Sequence, residues 1–184
     1  VTTYPFNPVS AAAGYVDNCG AFVMATLTST SLSGIDCNWT IVYTFSVYDE
    51  CNNLLTGQQQ VIMGSDQTPP SFTRPADILI YADQDCMYDA DVSVTGDVLD
   101  EDDNCASGLE ATYVDNVVAG PCACSYIITR TWSLVDACTN AAPNQVQTIT
   151  VHSNIVTNTN DSGPGSLREV IDCAVEGSTI TFAS

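Results

Sequence analysis

The sequence predicts an all-β fold built from tandem β-sandwich repeats, and three observations support this prediction. A short phrase, Asp-x-Cys-x-Asn, begins at Asp49 and again at Asp136. The stretch before each phrase alternates between apolar and polar residues with a period of two, which is typical of a half-buried strand. Further stretches of this kind are separated by Gly, Asp and Asn turns, with no long helical pattern between them.

The repeat extends well beyond the phrase. Three pairs of cysteines recur at nearly the same interval: Cys19 with Cys105, Cys37 with Cys124, and Cys51 with Cys138. An internal repeat of this kind is best tested before any other feature, because it decides the fold. We therefore predict an N-terminally incomplete repeat over 1–67, a complete repeat over 68–153, and the start of a third unit over 154–184.

Each repeat has one strand that is predicted to cross its core. The inward-facing residues are Trp39, Ile41, Tyr43, Phe45 and Val47 in the first repeat, and Tyr126, Ile128, Arg130, Trp132 and Leu134 in the second. The other strands predicted for the second repeat are 76–82, 89–98, 109–117 and 145–152, after an extended, proline-containing linker at 67–75. Strands of this length, joined by short turns, suggest a sandwich of the immunoglobulin-like type.

The last segment follows a different pattern. Ser166 and Glu169 form the Ser-x-x-Glu signature of a helix capping box, and apolar residues follow at helical spacing. Gly177 is placed to end that helix, and residues 178–182 are predicted to form a strand. The fold therefore ends in a short helix-strand segment.

The charge and the cysteine content limit the function. With 22 acidic residues, three arginines and a formal net charge of −19, the chain offers no cationic surface for nucleic acid or anionic membrane. No apolar run is long enough to span a bilayer. Nine cysteines in a chain of 184 residues indicate an oxidising, extracellular compartment.

Disulfide bonds are the favoured use of these cysteines. We predict that Cys19 bonds to Cys51 and that Cys105 bonds to Cys138, which would fasten two turns together at one end of each repeat. Cys86 is predicted to bond to Cys122 or to Cys124. The alternative is that these residues are buried, reduced thiols.

The predicted bonds would also bring acidic turns together. Calcium binds six to eight oxygen atoms from Asp, Asn and backbone carbonyls, which such a corner could supply. The predicted ligands are Asp17, Asp49, Asn53, Asp100, Asp102, Asp103, Asp136 and Asn140. The alternative is that these side chains accept hydrogen bonds from the backbone of their own turns.

Four stretches of the sequence resemble a known family. TPPSFTRPADILIYADQDC, DEDDNC, SYIITRTWSLVDAC and QTITV are similar to hyalin-type, immunoglobulin-like repeats of large Bacteroidota surface adhesins, including gliding-motility adhesins. The tail, TNTNDSGPGSLREVIDCAVEGSTITF, resembles the opening segment of parallel β-helix regions in bacterial surface proteins. The resemblance implies type IX secretion, a place at the cell surface, and a role in extracellular stalks.

Two functions remain open after these observations. The first is a non-catalytic structural stalk segment of an adhesin or surface filament, with neighbouring repeats, or other copies in a filament, as partners. The second is a calcium-dependent module that binds a surface glycan or protein, which a cluster of exposed aromatics (Tyr88, Tyr113 and Tyr126) on one face would favour. An enzyme is not expected, because the single histidine, His152, lies in a predicted strand and no catalytic set accompanies it.

Overall fold

The computed structural model describes residues 4–18, 20 and 22–184. The protein is rich in β-structure, with 40% of it in strands and 9% in helices, and its sheets are open. The chain divides into two compact units, Val1–Gln67 and Thr68–Ser184.

The first unit is a meander of three antiparallel strands with one short helix. The helix α1 covers Pro8–Ala12, and the strands are β1 (Val23–Ile35), β2 (Asn38–Asp49) and β3 (Leu54–Gly64). The strand order is β1-β2-β3, so β2 is central and the other two strands form the edges.

The predicted alternation along β2 is confirmed. Ile41, Tyr43, Phe45 and Val47 are buried, and the residues between them are half-buried. Phe45 packs with Ala11 of α1 and with Ala25 and Val47, so α1 covers the inner face of the sheet. Burial of this one apolar face, rather than the helix propensity of a five-residue segment, holds α1 in place.

The second unit contains a four-stranded sheet of order β4-β7-β6-β5. Its elements are β4 (Ile78–Tyr81), the short helix α2 (Val92–Thr95), β5 (Thr112–Ala119), β6 (Tyr126–Ser133) and β7 (Gln145–His152). The strands β5, β6 and β7 pair antiparallel, whereas β4 runs parallel to β7.

The core of this unit lies on one face of β6 and β7, as the alternation predicts. Ile128, Trp132, Ile149 and Val151 are at most 1% exposed. They belong to two apolar clusters, one that includes Phe72 and one that includes Ile80. Both of these partner residues come from the segment that precedes β5, β6 and β7, so that segment contributes to each cluster.

The strand predicted over 89–98 is wrong, because this segment contains α2. The Asp91 side chain accepts a hydrogen bond from the backbone N–H of Ser93 at 2.9 Å and caps the helix, and Gly96, with φ of 92°, ends it. Alternating Asp and Val imitate a strand pattern, but an Asp before a β-branched run is also an N-cap, and here the cap decides the structure.

The last elements are β8 (Ile155–Val156), α3 (Leu167–Cys173) and β9 (Thr181–Phe182), with β8 and β9 paired in parallel. Ser166 caps α3 by accepting the Glu169 N–H at 3.3 Å, as predicted. The predicted C-cap is wrong: α3 ends at Cys173, and Gly177 takes its positive φ of 81° in a later turn. Across the described residues, no helix has the length and apolar character that crossing a membrane requires.

Candidate functional site: duplicated turns and a disulfide cluster

The first Asp-x-Cys-x-Asn phrase forms the turn between β2 and β3. Asp49 accepts the backbone N–H of Asn53 at Oδ1 (2.8 Å) and its side-chain N–H at Oδ2 (2.6 Å). The carbonyl of Asp49 accepts the N–H of Asn52 at 3.2 Å, and Asn52 has a positive φ of 64°. This is a tight turn followed by a left-handed residue, a common way to join two antiparallel strands.

The second phrase repeats this geometry. Asp136 accepts the backbone and side-chain N–H groups of Asn140, both at 2.7 Å. Its carbonyl accepts the N–H of Thr139 at 3.2 Å, and Thr139 has a φ of 70°. The phrase is therefore duplicated because it encodes the same turn twice, with Asp as the acceptor and Asn as the double donor.

These hydrogen bonds have an electrostatic consequence at Asp49. The side-chain hydrogen bond from Asn53 lowers the pKa of the Asp49 carboxyl, backbone N–H groups lower it further, and burial partly opposes them. The ionised form is thus stabilised by donors of the same turn, as the hydrogen-bonding alternative predicts.

The other predicted calcium ligands also form hydrogen bonds within the protein, either in their own loop or with the segment at 71–73. Asp17 accepts the N–H of Asn18 at 2.8 Å, and Asp100 accepts the N–H of Thr73 at 2.8 Å. The backbone of Asp102 forms a bridge with that of Ser71. Asp103 Oδ2 accepts the N–H groups of Cys105 (3.0 Å) and Ala106 (2.7 Å). Within the described part of the chain, its other oxygen, Oδ1, is enclosed without a hydrogen bond.

Two disulfides meet at the turn before β6. Cys86 bonds to Cys124, with Cα atoms 4.9 Å apart, and Cys122 bonds to Cys173, with Cα atoms 6.2 Å apart. We refer to these four residues as the disulfide cluster. It joins the segment after β4 to the turn before β6 and to α3. Bonds of this kind persist in oxidising compartments, which indicates a secreted or extracellular protein.

Hydrogen bonds reinforce this cluster. Glu169 accepts the N–H of Ala123 at Oε1 (2.9 Å) and the N–H of Gly165 at Oε2 (2.5 Å). Ser125, which is buried, accepts the N–H of Cys122 at 3.0 Å and donates to its carbonyl at 2.8 Å. The helix α3 is therefore attached to the sheet by a covalent bond and by a charged hydrogen bond at neighbouring residues.

The predicted pairings have different outcomes. Cys86 takes Cys124, the second of the two partners that the sequence leaves open. The bond predicted between Cys105 and Cys138 is not formed: the Cys105 sulfur accepts a hydrogen bond from Asn104 at 3.0 Å, while Cys138 belongs to a different disulfide. The physical reason is the Asp103 carboxylate, which draws the Cys105 and Ala106 N–H groups back onto their own loop.

The remaining predicted pair involves Cys51 and Cys19. Cys51 is exposed in the first duplicated turn, and Cys19 lies outside the described residues. Because Cys51 is a free thiol, the predicted bond to it is wrong.

The hydrogen-bonding network around a buried arginine is the main feature that the sequence did not reveal. Arg130 is 1% exposed, and its guanidinium binds both carboxylate oxygens of Asp115 at 2.8 Å. It also donates to Thr95 Oγ1 at 2.7 Å and to the Ala90 carbonyl at 2.6 Å, and lies 4.0 Å from the centre of the Tyr113 ring. The hydrogen bond to Asp115 raises the pKa of Arg130 despite its burial.

A signal for this network was present in the sequence. Arg130 was correctly predicted to face inward, and a buried arginine requires an acid nearby. Asp115 is directly opposite Arg130 in the β5–β6 register. The pairing of Asp115 with Arg130 can be predicted only if the β5–β6 register is known, because a one-residue slip would move Asp115 to the other face of the sheet.

The aromatic residues that would favour a binding surface pack within the unit instead. Tyr88 lies 5.2 Å from Tyr126 and Tyr113 lies 5.0 Å from Trp132, measured between ring centroids. Tyr113 also covers the Arg130 guanidinium. Their positions follow from packing, so they do not form a separate aromatic face.

Two glutamines of β7 hold the preceding segment onto the sheet. Gln145 donates to the Phe72 carbonyl at 2.5 Å and accepts the Arg74 N–H at 3.2 Å. Gln147, which is 0% exposed, donates to the carbonyls of Ala76 (2.9 Å) and Thr95 (2.8 Å). These amides satisfy backbone groups that the sheet itself cannot pair, a role that the sequence pattern does not predict.

No protein-family model matches the chain, and the comparison with curated proteins gives no match either.

Proposed function

We propose that this chain is a non-catalytic structural segment of an extracellular bacterial adhesin or surface filament. The observation that carries the proposal is the meeting of two disulfides at Cys122 and Cys124. The adhesin class and secretion by the type IX system rest on the sequence resemblance to hyalin-type, immunoglobulin-like repeats. Neighbouring repeats of the same protein are the proposed partners.

The disulfide cluster changes the path that a pulling force takes through the second unit. A force that enters before Cys86 passes to Cys124, along two peptide units to Cys122, and across to Cys173. Residues 87–121, which include β5, lie outside this path. They cannot be pulled straight while both bonds remain, which is a useful property in a stalk under tension.

The surface chemistry is compatible with this role. A formal net charge of −19 keeps extended modules apart and disfavours nonspecific association. The ring contacts of Tyr88, Tyr113 and Tyr126 within the unit favour a spacer over a ligand-binding face.

Single-molecule stretching of the full chain tests the proposal. Under oxidising conditions, we expect the extension on unfolding to omit residues 87–121. Reduction should add at least about 120 Å of contour length from this segment, at roughly 3.4 Å per extended residue. Equal extensions with and without reductant would contradict the proposed load path.

The alternative is a calcium-dependent binding module, and one observation favours it. Asp103 Oδ1 is enclosed and makes no hydrogen bond among the described residues. A cation there would supply the missing partner.

Thermal melting in calcium and in chelator tests this alternative. We expect calcium to raise the melting temperature of the unmodified chain, and Asp103→Asn to abolish that rise. Asp85→Asn, an exposed acidic position elsewhere in the same unit, is the matched control. An identical melting temperature with and without calcium would reject the alternative.

A further inference from the structure

The two sheets correspond residue by residue. The duplicated turns fix the alignment, and the pairing registers extend it to the neighbouring strand. In the first unit Tyr43 pairs with Gln60 and Phe45 with Gln58; in the second, Arg130 pairs with Gln147 and Trp132 with Gln145. Gln60 is therefore the counterpart of Gln147, and Gln58 is the counterpart of Gln145.

The correspondence continues into the helices. Asn7 caps α1 by accepting the N–H groups of Val9 and Ser10, and Asp91 caps α2 by accepting the N–H of Ser93. Tyr4 lies 5.3 Å from Trp39, as Tyr88 lies 5.2 Å from Tyr126. The described residues of the first unit thus match the second unit from Tyr88 onward, a likeness that the sequence pattern did not show.

One element of the second unit has no described counterpart. The outer edge of β7 is paired with β4, with Ile78 opposite Ile149 and Ile80 opposite Val151. Among residues 4–18, 20 and 22–184, no strand pairs with the outer edge of β3. On this strand, Val61 is 50% and Met63 is 74% exposed.

Gln58 and Gln60 of the first unit make different contacts from their counterparts, Gln145 and Gln147. Gln58 accepts the Tyr15 hydroxyl at 2.8 Å and donates to the Thr56 carbonyl at 3.0 Å. Gln60 is half-buried, and within the described chain its side chain makes no hydrogen bond. Its counterpart Gln147 donates to the segment that leads into β4. Gln60 is thus a donor already in place on an unpaired edge.

We propose that the edge of β3 accepts an extended peptide strand from another polypeptide segment, with the chemistry of residues 71–82. The strand would run parallel to β3, as β4 runs parallel to β7. Its alternate aliphatic side chains would pack beside Ile62, as Ile80 packs with Ile149. The Gln60 amide would donate to the strand's backbone. Addition of a strand to an exposed edge is a well-established mode of peptide recognition.

The backbone N–H groups of β3 that point to its open edge lie at the positions that parallel strand addition requires. In the second unit the N–H of Thr148 points towards β4 and donates to the side-chain oxygen Oδ1 of Asp77 at 2.9 Å, and the His152 carbonyl accepts the Ala82 N–H at 2.8 Å. By the shared register, the counterpart of Thr148 is Val61. Backbone direction alternates along a strand, so Met63 also directs its N–H to the open edge. The binding of a peptide strand at β3 does not depend on the proposed function as a stalk segment.

Binding of a labelled synthetic peptide, with the sequence of residues 71–82, to the full oxidised chain tests the proposal. We expect saturable binding by fluorescence anisotropy. A peptide with Ile78→Asp and Ile80→Asp should bind at least tenfold more weakly. Met63→Pro in the protein should reduce binding at least tenfold, because it removes an outward N–H while leaving the ladder to β2 intact.

Matched controls separate this effect from general damage. Met63→Thr, which keeps the N–H and copies the residue at position 150, should bind the peptide normally. Gln60→Leu should weaken binding, whereas Gln59→Leu, at an exposed neighbour, should not. A photoreactive group on the peptide should crosslink to residues 58–65.

Several results would overturn the proposal. One is the absence of binding at millimolar peptide, and another is binding that Met63→Pro does not change. Crosslinks to residues 145–152 would mean that the peptide displaces β4 instead. Self-association of the chain through β3, without peptide binding, would replace the proposed occupant with a second copy.

Discussion

At the scale of single residues, most acidic side chains in this protein have a local structural role. Asp49 and Asp136 each accept two hydrogen bonds from an Asn four residues later. Asp115 compensates the charge of a buried arginine. A strongly acidic composition therefore need not indicate a metal site, because turns and caps use the same side chains.

The duplicated turn leads to a residue-scale prediction. Asn53→Ala removes the side-chain donor to Asp49, and we expect the pKa of Asp49 to rise towards its ordinary value. The loss of this hydrogen bond should also reduce the free energy of unfolding. Carboxyl NMR titration and urea denaturation would measure the two effects. Asn52→Gly, which keeps the Asn53 donor and suits the positive φ of 64°, is the control and should leave the pKa of Asp49 low.

At the scale of elements, the sequence predicted the strands that have one buried face. The alternation of Ile41, Tyr43 and Phe45, and of Ile128, Arg130 and Trp132, placed β2 and β6 correctly because burial of one face imposes a period of two. The segment at 89–98 contains a short helix and not the predicted strand. An Asp N-cap followed by β-branched residues gives the same alternating sequence pattern as a half-buried strand.

The candidate site was less predictable than the strands, since it depends on contacts between distant segments. Cys122 and Cys124 were recognised, but sequence spacing does not reveal which cysteine faces Cys86 and which faces Cys173. The predicted disulfide of Cys105 does not form, because hydrogen bonds to Asp103 hold Cys105 in a local loop. The equivalence of α1 and α2 is visible in their N-caps and ring contacts. The sequence shows it only in part, because the two N-cap residues, Asn7 and Asp91, are not identical.

At the scale of the whole molecule, stability is expected to depend on pH through two opposing effects. Local hydrogen bonds lower the pKa values of Asp49, Asp77, Asp91 and Asp100. For groups with a lowered pKa, the stabilisation is fully present above the pKa of the unfolded chain, about 4 for aspartate, and is lost as pH falls through the lower folded value. The second effect is the net charge of −19, whose self-repulsion destabilises the folded protein at neutral pH.

We therefore expect the melting temperature of the oxidised chain to rise as pH is lowered from 7 to about 5, where repulsion weakens, and to fall below about pH 4. Added salt should raise the melting temperature at pH 7, because it screens the repulsion, and should have a smaller effect near pH 4 where the net charge is small. Circular dichroism melts over this pH range, at low and high ionic strength, would measure both trends. A melting temperature that continues to rise down to pH 2 would show that the hydrogen-bonded aspartates contribute little to folding. If salt lowers stability at pH 7, attraction between the few arginines and their acidic partners, rather than repulsion among the acids, would be the dominant electrostatic effect in the fold.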